Sequence, residues 1–499
     1  MGFNTLSFIP FLLIVILLYF TIFRKCQWVF LLLASIAFYL FAGPKYIIFI
    51  FISSLSTYTL AGKIQKLHDD ESRITKTREF SSKEAKKAFK KRFTKRRKRI
   101  LLLDFAINLG ILCVIKYTDF ILSGVSSVLG KFGLDWSKEF NFVLPLGISF
   151  YTFMVVGYIL DIYWKRYRAE TNYLKLALFT MYFPHIVQGP IGRYNKLAPQ
   201  FFADHPFDYD RVTKGFQLIL WGYFEKMVIS DRLQTFTNGA LAKWDQITGF
   251  PLILAISLFS IQMYLDWMGC MDIAHGISEI FGINLDKNFW HPFFSKNMPE
   301  FWRRWHISLS SFFRDYVYIP LGGSRGGDLL TVRNMFIVWA LTGIWHGASW
   351  NYILWGLYFF VFLVLERFVL KKVLERLPRA VGWIYAMLVV YFGWVLFKFE
   401  NMAELGNVLA GMFGFGHMAG NLSTLYTLLN NIFLLIISII AVFPIGKNLR
   451  MAAYRYENKR KKVPTLLYYL DAVTPVILIL LSLLALVGDS YNPFLYFQF

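Results

Sequence analysis

Two histidines carry the chemistry that this 499-residue chain has to offer. His346 lies inside the apolar run Phe336–Trp355, FIVWALTGIWHGASWNYILW, and His306 lies forty residues upstream in FWRRWHISLSSFFRDYVY. A titratable group at membrane depth is expensive, so it is held against protein or a wet cavity and points to function. An imidazole there suits proton abstraction near neutral pH. The competing reading is a structural histidine bonded to a neighbouring helix. Neither histidine has the HExxH spacing of a metal site. Cys26, Cys113 and Cys270 are scattered, with no CxxC, so neither a zinc site nor a disulfide framework is expected. The chain has no G-x-S-x-G, no Walker loop and no kinase motif set. PLGGSRGG, from Pro320, lacks the GK[ST] ending and reads as a turn. Asp266 and Asp272 stand six apart on one helical stretch and read as packing groups rather than a glycosidase acid pair.

The flanking residues indicate how these histidines are positioned. Gly343, Gly347 and Gly356 allow close backbone approach, and Trp345, Trp350 and Trp355 are expected to wall the site. Thr342, one turn before His346, is placed to orient it. Counted from Arg333 along a helix, His346 lies about 20 Å further in. Around His306, the residues Trp302, Trp305, Leu309, Phe312 and Tyr316 fall on one helical face, with Arg303, His306, Ser310 and Arg314 on a neighbouring polar stripe. This predicts one amphipathic helix at, or dipping through, a membrane interface.

Hydrophobic residues make up 56% of the sequence, and apolar runs long enough to cross a bilayer recur along it. The reading is an all-α polytopic membrane protein of about 11–12 membrane segments, residues 1–499 forming a single domain. The first span is Leu6–Phe23 rather than a cleaved signal. The net charge of +22 sits in loops between spans. It therefore reads as the positive-inside pattern and anionic headgroups, not nucleic acid. Residues 63–99 hold 16 Lys/Arg against 5 Asp/Glu, and 447–462 hold seven Lys/Arg and one Glu. Both are expected in the cytoplasm, which places the N-terminus and the tail 489–499 outside. Residues 63–99 read as a lipid-facing amphipathic helix, with a docking surface for an acidic partner as the alternative. Tyr173–Val187 runs into Pro184-His185 and Gln188-Gly189-Pro190, which cannot form a straight helix. A broken or re-entrant segment lining a cavity is expected there, with Arg193 just beyond.

Two deep histidines and a basic face fit a channel entered by a donor from one side. Histidine-assisted acyl transfer fits, and so does a proton-coupled transporter or flippase. Spacing and composition do not separate them.

Specific motifs add to this reading. FWRRWHISLSSFFRDYVYIPLGG (Phe301–Gly323) followed by LTGIWHG (Leu341–Gly347) resembles the paired signature of the membrane-bound O-acyltransferase (MBOAT) family. The likeness is closer to its bacterial alginate O-acetylation branch, whose cousins include the D-alanyl transfer proteins of teichoic acid modification. PLGISFYTF (Pro145–Phe153), FPHIVQGPIGRY (Phe183–Tyr194) and the tail PFLYFQF (Pro493–Phe499) resemble the same branch.

The resemblance implies an MBOAT-like helical bundle with re-entrant and interfacial helices and a central tunnel, in the bacterial cell membrane. It implies a catalytic role for His346, with His306 as the second histidine. It implies a cytoplasmic acyl donor, acetyl-CoA or alternatively an acyl carrier protein thioester, with no bound cofactor. Arg303, Arg304, Arg314 and Ser310 are candidates for meeting the donor. Asp266, Asp272, Trp345, Asn351 and Pro190 are candidate tunnel or structural residues. An extracytoplasmic SGNH-type acetyltransferase or polysaccharide-export partner would finish transfer to an exported glycan. The run Asp266-Trp267-Met268-Gly269-Cys270-Met271-Asp272 departs from the family pattern, because Met and Cys replace hydroxyl residues. His185 also stands where another residue is common. Both departures bear on the acceptor and leave the reaction class alone.

Overall fold

The computed structural model describes residues 2–132, 140, 142–416, 420–443 and 465–488, with side chains of the last stretch described over 473–485. The second basic loop, 447–462, and the tail, 489–499, lie outside the described residues. Every regular element among the described residues is helical. Contacts divide the chain into two compact units.

The first unit holds residues 10–208 and 281–286. Its helices are α1 (Phe8–Phe20), α2 (Gln27–Ala42), α3 (Ile47–Thr77), α4 (Lys83–Gly130), α5 (Ile148–Tyr163), α6 (Tyr173–Met181), α7 (Phe183–Ile186) and α8 (Tyr194–Phe201). Ser82 starts α4 by accepting the Ala85 N–H at 3.1 Å. From there one helix of 48 residues runs through the basic block and into the apolar span without a break.

The basic block is thus the continuation of a span, not a separate helix lying along the interface. It is braced by the matching extension of α3. Deep in the pair, Thr57 Oγ1 donates to Asp104 Oδ1 at 2.8 Å and Asn108 Nδ2 donates to Thr57 Oγ1 at 3.1 Å. Near the basic end, Arg97 is ion-paired to Glu71, both largely buried. The order of these pairs makes α3 and α4 antiparallel. The Tyr173–Val187 stretch breaks as its prolines predict: α6 stops at Met181 and α7 lasts four residues. Gly147, at φ +69°, accommodates this irregular backbone, since a Cβ there would stand 2.4 Å from the Ile186 carbonyl oxygen.

The second unit holds residues 2–9, 209–280 and the described residues from 287 onward. α9 (Tyr209–Tyr223) passes through a π-helical turn, Phe224–Ser230, into α10 (Asp231–Leu241). It packs along α11 (Phe250–Ile280) through paired glycines. A Cβ on Gly215 would lie 2.6 Å from the Gly276 carbonyl oxygen, and one on Gly222 would lie 2.5 Å from that of Gly269. This is the small-residue approach that membrane helices use. Beside it, buried Lys226 is ion-paired to Asp231 at 2.8 Å and to Asp266. Asp266 thereby acts as a structural counter-ion, and Gly269 keeps its place despite the lost hydroxyls.

The site-bearing elements follow: α12 (Met298–Arg304), α13 (Ile307–Phe313), α14 (Asp328–His346) and α15 (Trp350–Leu365). After them come α16 (Lys371–Arg376), α17 (Arg379–Lys398), α18 (Met402–Met412), α19 (Asn421–Asn430), α20 (Ile432–Val442) and α21 (Thr465–Gly488). α19 and α20, apolar enough together to span a membrane, are bent by 70° where they meet. At the bend the Asn431 amide turns back to the Thr427 carbonyl at 2.8 Å. Five helices among the described residues are long and apolar enough to span a membrane, six with the bent pair. The remaining apolar runs form shorter helices such as Phe8–Phe20 and Ile148–Tyr163.

Candidate functional site

His346 is the last residue of α14, and Gly347-Ala348-Ser349 turns the chain into α15. The two helices meet as the glycines predict. A Cβ on Gly343 would stand 2.5 Å from the Tyr352 carbonyl oxygen, and one on Gly356 2.5 Å from that of Trp339. Gly347 lies against the Tyr352 ring, where a Cβ would come within 2.2 Å. Three missing side chains therefore press this hairpin together and fix the corner that carries His346. Thr342 Oγ1 donates to the Val338 carbonyl at 2.7 Å, back along its own helix.

His306 reaches the same place by a different route. The stretch expected as one amphipathic helix is broken at Trp305-His306, and His306 sits at φ +45° in the left-handed region. That conformation is uncommon for a residue with a side chain and costs roughly 1–2 kcal/mol. It is held by an irregular stretch from upstream, around Asn288. The Asn288 carbonyl accepts from Ile307 N–H and the Asn288 Oδ1 from Ser308 N–H, both at 2.9 Å. The Arg304 carbonyl accepts from Trp290 N–H at 2.9 Å. The helix ends on both sides of His306 are satisfied by this segment rather than by continuing the helix.

The two imidazoles share one cavity of about 170 Å³, bounded also by Trp302, Trp339, Thr342 and Arg314. His306 is 2% exposed and His346 is 5% exposed. Trp345 stands between them, its ring 5.8 Å from His306 and 5.0 Å from His346, centre to centre. His346 also meets Trp355 at 4.8 Å, and His306 meets Trp267 at 5.1 Å, both edge to face. Among the described residues no other side chain is hydrogen-bonded to the His306 ring nitrogens.

The remaining expected residues divide. Ser310 and Arg314 line the cavity. Arg303 is exposed away from it, and Arg304 is engaged with Glu300 at 2.6 Å. Trp350, expected in the wall, is 62% exposed, because it opens α15 on the outer side of the turn. Asn351 is buried and donates to the Phe397 carbonyl at 3.0 Å, tying α15 to α17. Asp272 is buried in α11, and Pro190 belongs to a cleft of the first unit. Met335, Val338 and Tyr318 line the cavity without having been singled out from sequence. The first two lie eleven and eight residues before His346, the spacing of one helical face, and that signal was available.

An apolar helical protein that holds two imidazoles on one tryptophan-lined cavity has the make-up of a membrane group-transfer enzyme. Residues 165–405 match the model of MBOAT, the membrane-bound O-acyltransferase family. The chain is 34% identical over 430 residues to a protein of Azotobacter vinelandii named probable alginate O-acetylase AlgI, covering 81% of this chain and 86% of that one. It is 30% identical over 416 residues to the peptidoglycan O-acetyltransferase of Helicobacter pylori, covering 77% of this chain and 73% of that one. Over 272 residues it is 31% identical to the teichoic acid D-alanyltransferase of Bacillus subtilis, covering 52% of this chain and 68% of that one. The chain belongs to the membrane-bound O-acyltransferase family and is a multi-pass membrane O-acyltransferase.

Proposed function

We propose that this enzyme moves an acetyl group from cytoplasmic acetyl-CoA across the cell membrane toward hydroxyls of an exported or cell-wall polysaccharide. The observation that carries the reading is the single cavity shared by His306 and His346. Its volume of about 170 Å³, a little over the roughly 150 Å³ that takes up a benzene, accommodates a short acyl group.

In this reading His346 is the general base. It takes the proton of the attacking hydroxyl as the oxygen bonds to the thioester carbonyl carbon. The carbon–sulfur bond then breaks, and the thiolate leaves with that proton to give free thiol and an ester. His306, with no other described side chain hydrogen-bonded to its ring nitrogens, holds the thioester carbonyl or supports the proton transfer. Arg314 and Ser310 meet the donor at the cavity mouth. The basic block 63–99 faces the cytoplasm, and an extracytoplasmic transferase of the SGNH type completes delivery to the glycan.

Membranes containing wild type, His346→Ala or His306→Ala at equal protein level, supplied with radiolabelled acetyl-CoA, test this. Wild type should consume the thioester and raise glycan O-acetyl content, and His346→Ala should do neither. Undiminished consumption in His346→Ala would remove the base. Consumption of a D-alanyl carrier thioester in place of acetyl-CoA would replace the donor.

A further inference from the structure

We infer that Asn288 is a positioning residue for acyl transfer: its side-chain amide takes over the capping of α13 and so holds the His306 imidazole on the cavity. The inference rests on the acyl-transfer reading for its catalytic consequence and adds a residue which that reading does not use. Asn288 lies in the irregular stretch before α12, eighteen residues ahead of His306, and is 1% exposed.

The leading N–H groups of a helix need acceptors, and the residue at the cap position ordinarily supplies one from its own side chain, on extended backbone. The chain follows that rule just upstream. Asn297 opens α12 at φ −160° and accepts the Glu300 N–H at 2.8 Å. His306 holds the same position on α13 and departs from the rule twice. Its φ is +45°, and its side chain makes no capping bond. The bond that a cap would supply comes from Asn288, whose Oδ1 accepts the N–H of Ser308, the second residue of α13, at 2.9 Å. The cap is relocated, and the imidazole at the head of the helix lines the cavity instead.

Three consecutive residues grip the break. The Asn288 carbonyl accepts from Ile307 N–H and the Arg304 carbonyl from Trp290 N–H, one bond on either side of Trp305-His306. Between them the Phe289 ring packs edge to face on Trp305 at 5.0 Å. The orientation of the Asn288 amide is set as well. Its Nδ2 faces the Met271 sulfur at 3.7 Å, a weak acceptor, which leaves the oxygen for Ser308.

Main chain and side chain have separable consequences. The two main-chain bonds survive when the Asn288 side chain is cut back, so the segment keeps its place. What is lost is the bond to Ser308 N–H. A left-handed residue that carries a side chain persists only where its surroundings over-determine it. Without the cap, His306 relaxes and its imidazole leaves the cavity. Turnover falls, while donor affinity, which the acyl-transfer reading assigns to Arg314 and Ser310, is kept.

The test uses the full-length protein in neutral detergent and has two readouts. The first is modification of His306 by diethyl pyrocarbonate, located by peptide mass spectrometry. The buried imidazole should react slowly in wild type and at least fivefold faster in Asn288→Ala. It should return to the wild-type rate in Asn288→Asp, which keeps an acceptor oxygen. The second readout is acetyl transfer. Asn288→Ala should lower kcat at least tenfold and move the donor KM less than twofold, and Asn288→Asp should recover most of that kcat. In a His306→Ala background the same alanine change should cost nothing further, because Asn288 acts through the imidazole. Asn288→Ser, whose hydroxyl is too short to reach Ser308, replaces the alanine variant if that one aggregates on gel filtration. Unchanged His306 reactivity in Asn288→Ala overturns the inference, and so does an equal loss of kcat in both backgrounds. If His306→Ala alone transfers acetyl at the wild-type rate, the acyl-transfer role of His306 falls, and the modification rate still decides whether Asn288 places the ring.

Discussion

The corner at His306 and His346 and the broken segment at His185 both place an unusual backbone beneath a buried imidazole, yet the openings beside them differ in kind. The first is lined by Trp302, Trp305 and Trp339, with Trp345 and Trp355 packed against His346 and a single arginine, Arg314, on the lining. The second is rimmed by Arg193, Lys196, Asp286 and Gln200. An aromatic wall of low polarity strengthens each electrostatic interaction beside it. The same side chain thus borders a cavity in one region and is packed against Phe179 and Tyr182 in the other.

Four experiments test the aromatic cavity and its surroundings. The largest effect belongs to the aromatic cavity. His346→Ala should lower the rate of acetyl transfer by about 10²–10⁴, the range that a positioned acid–base group supplies, as read by label transfer at matched protein level. Retained transfer would show that the aromatic wall does not mark the reacting end. Next, Val338→Trp fills the cavity from α14 and should cut turnover at least tenfold while the protein still folds, as seen by its gel-filtration profile. Full activity in that variant would mean that the reacting group does not enter there.

A moderate effect is expected beneath the same corner. Gly356→Ala pushes a methyl to 2.5 Å from the Trp339 carbonyl and should destabilise the α14–α15 hairpin by about 1–3 kcal/mol, seen as a lower melting temperature in detergent. The smallest effect separates two neighbouring arginines. Arg314→Ala should raise the donor KM several-fold, because Arg314 lines the cavity, whereas Arg303→Ala should shift it less than about twofold. Equal effects would mean that donor recognition extends along the exposed side of α12.

The sequence makes the aromatic corner legible because its determinants are local. Gly343, Gly347 and Gly356 lie within fourteen residues, and each closes a contact inside one hairpin. Trp345 and Trp355 bracket His346 in the same way, whereas the direction of Trp350 depends on which side of the turn it leaves. The break of the Tyr173–Val187 segment is readable from Pro184 and Pro190 alone.

What stays hidden is set at a distance. Helical periodicity runs smoothly through Trp305 and His306, and only Asn288, eighteen residues away, interrupts it by bonding the N–H groups of Ile307 and Ser308. Lys226 reads as a blemish in a membrane span until Asp231 and Asp266 are seen around it. The pairing of Arg97 with Glu71, which turns a charge run into a braced helical pair, likewise needs both helices in place.

The unbroken course of α4 has a kinetic consequence. At 1.5 Å per residue, its 48 residues extend about 72 Å, well over twice the hydrocarbon thickness of about 30 Å. Its first seventeen residues carry eleven Lys/Arg and one Glu. Charge carried so far along a rigid arm acts as an antenna, enlarging the volume from which polyanions are drawn in. The Debye length is only about 8 Å at physiological salt. Encounter rates with acidic macromolecules should therefore fall steeply with ionic strength, while the buried His346 should be much less sensitive to it.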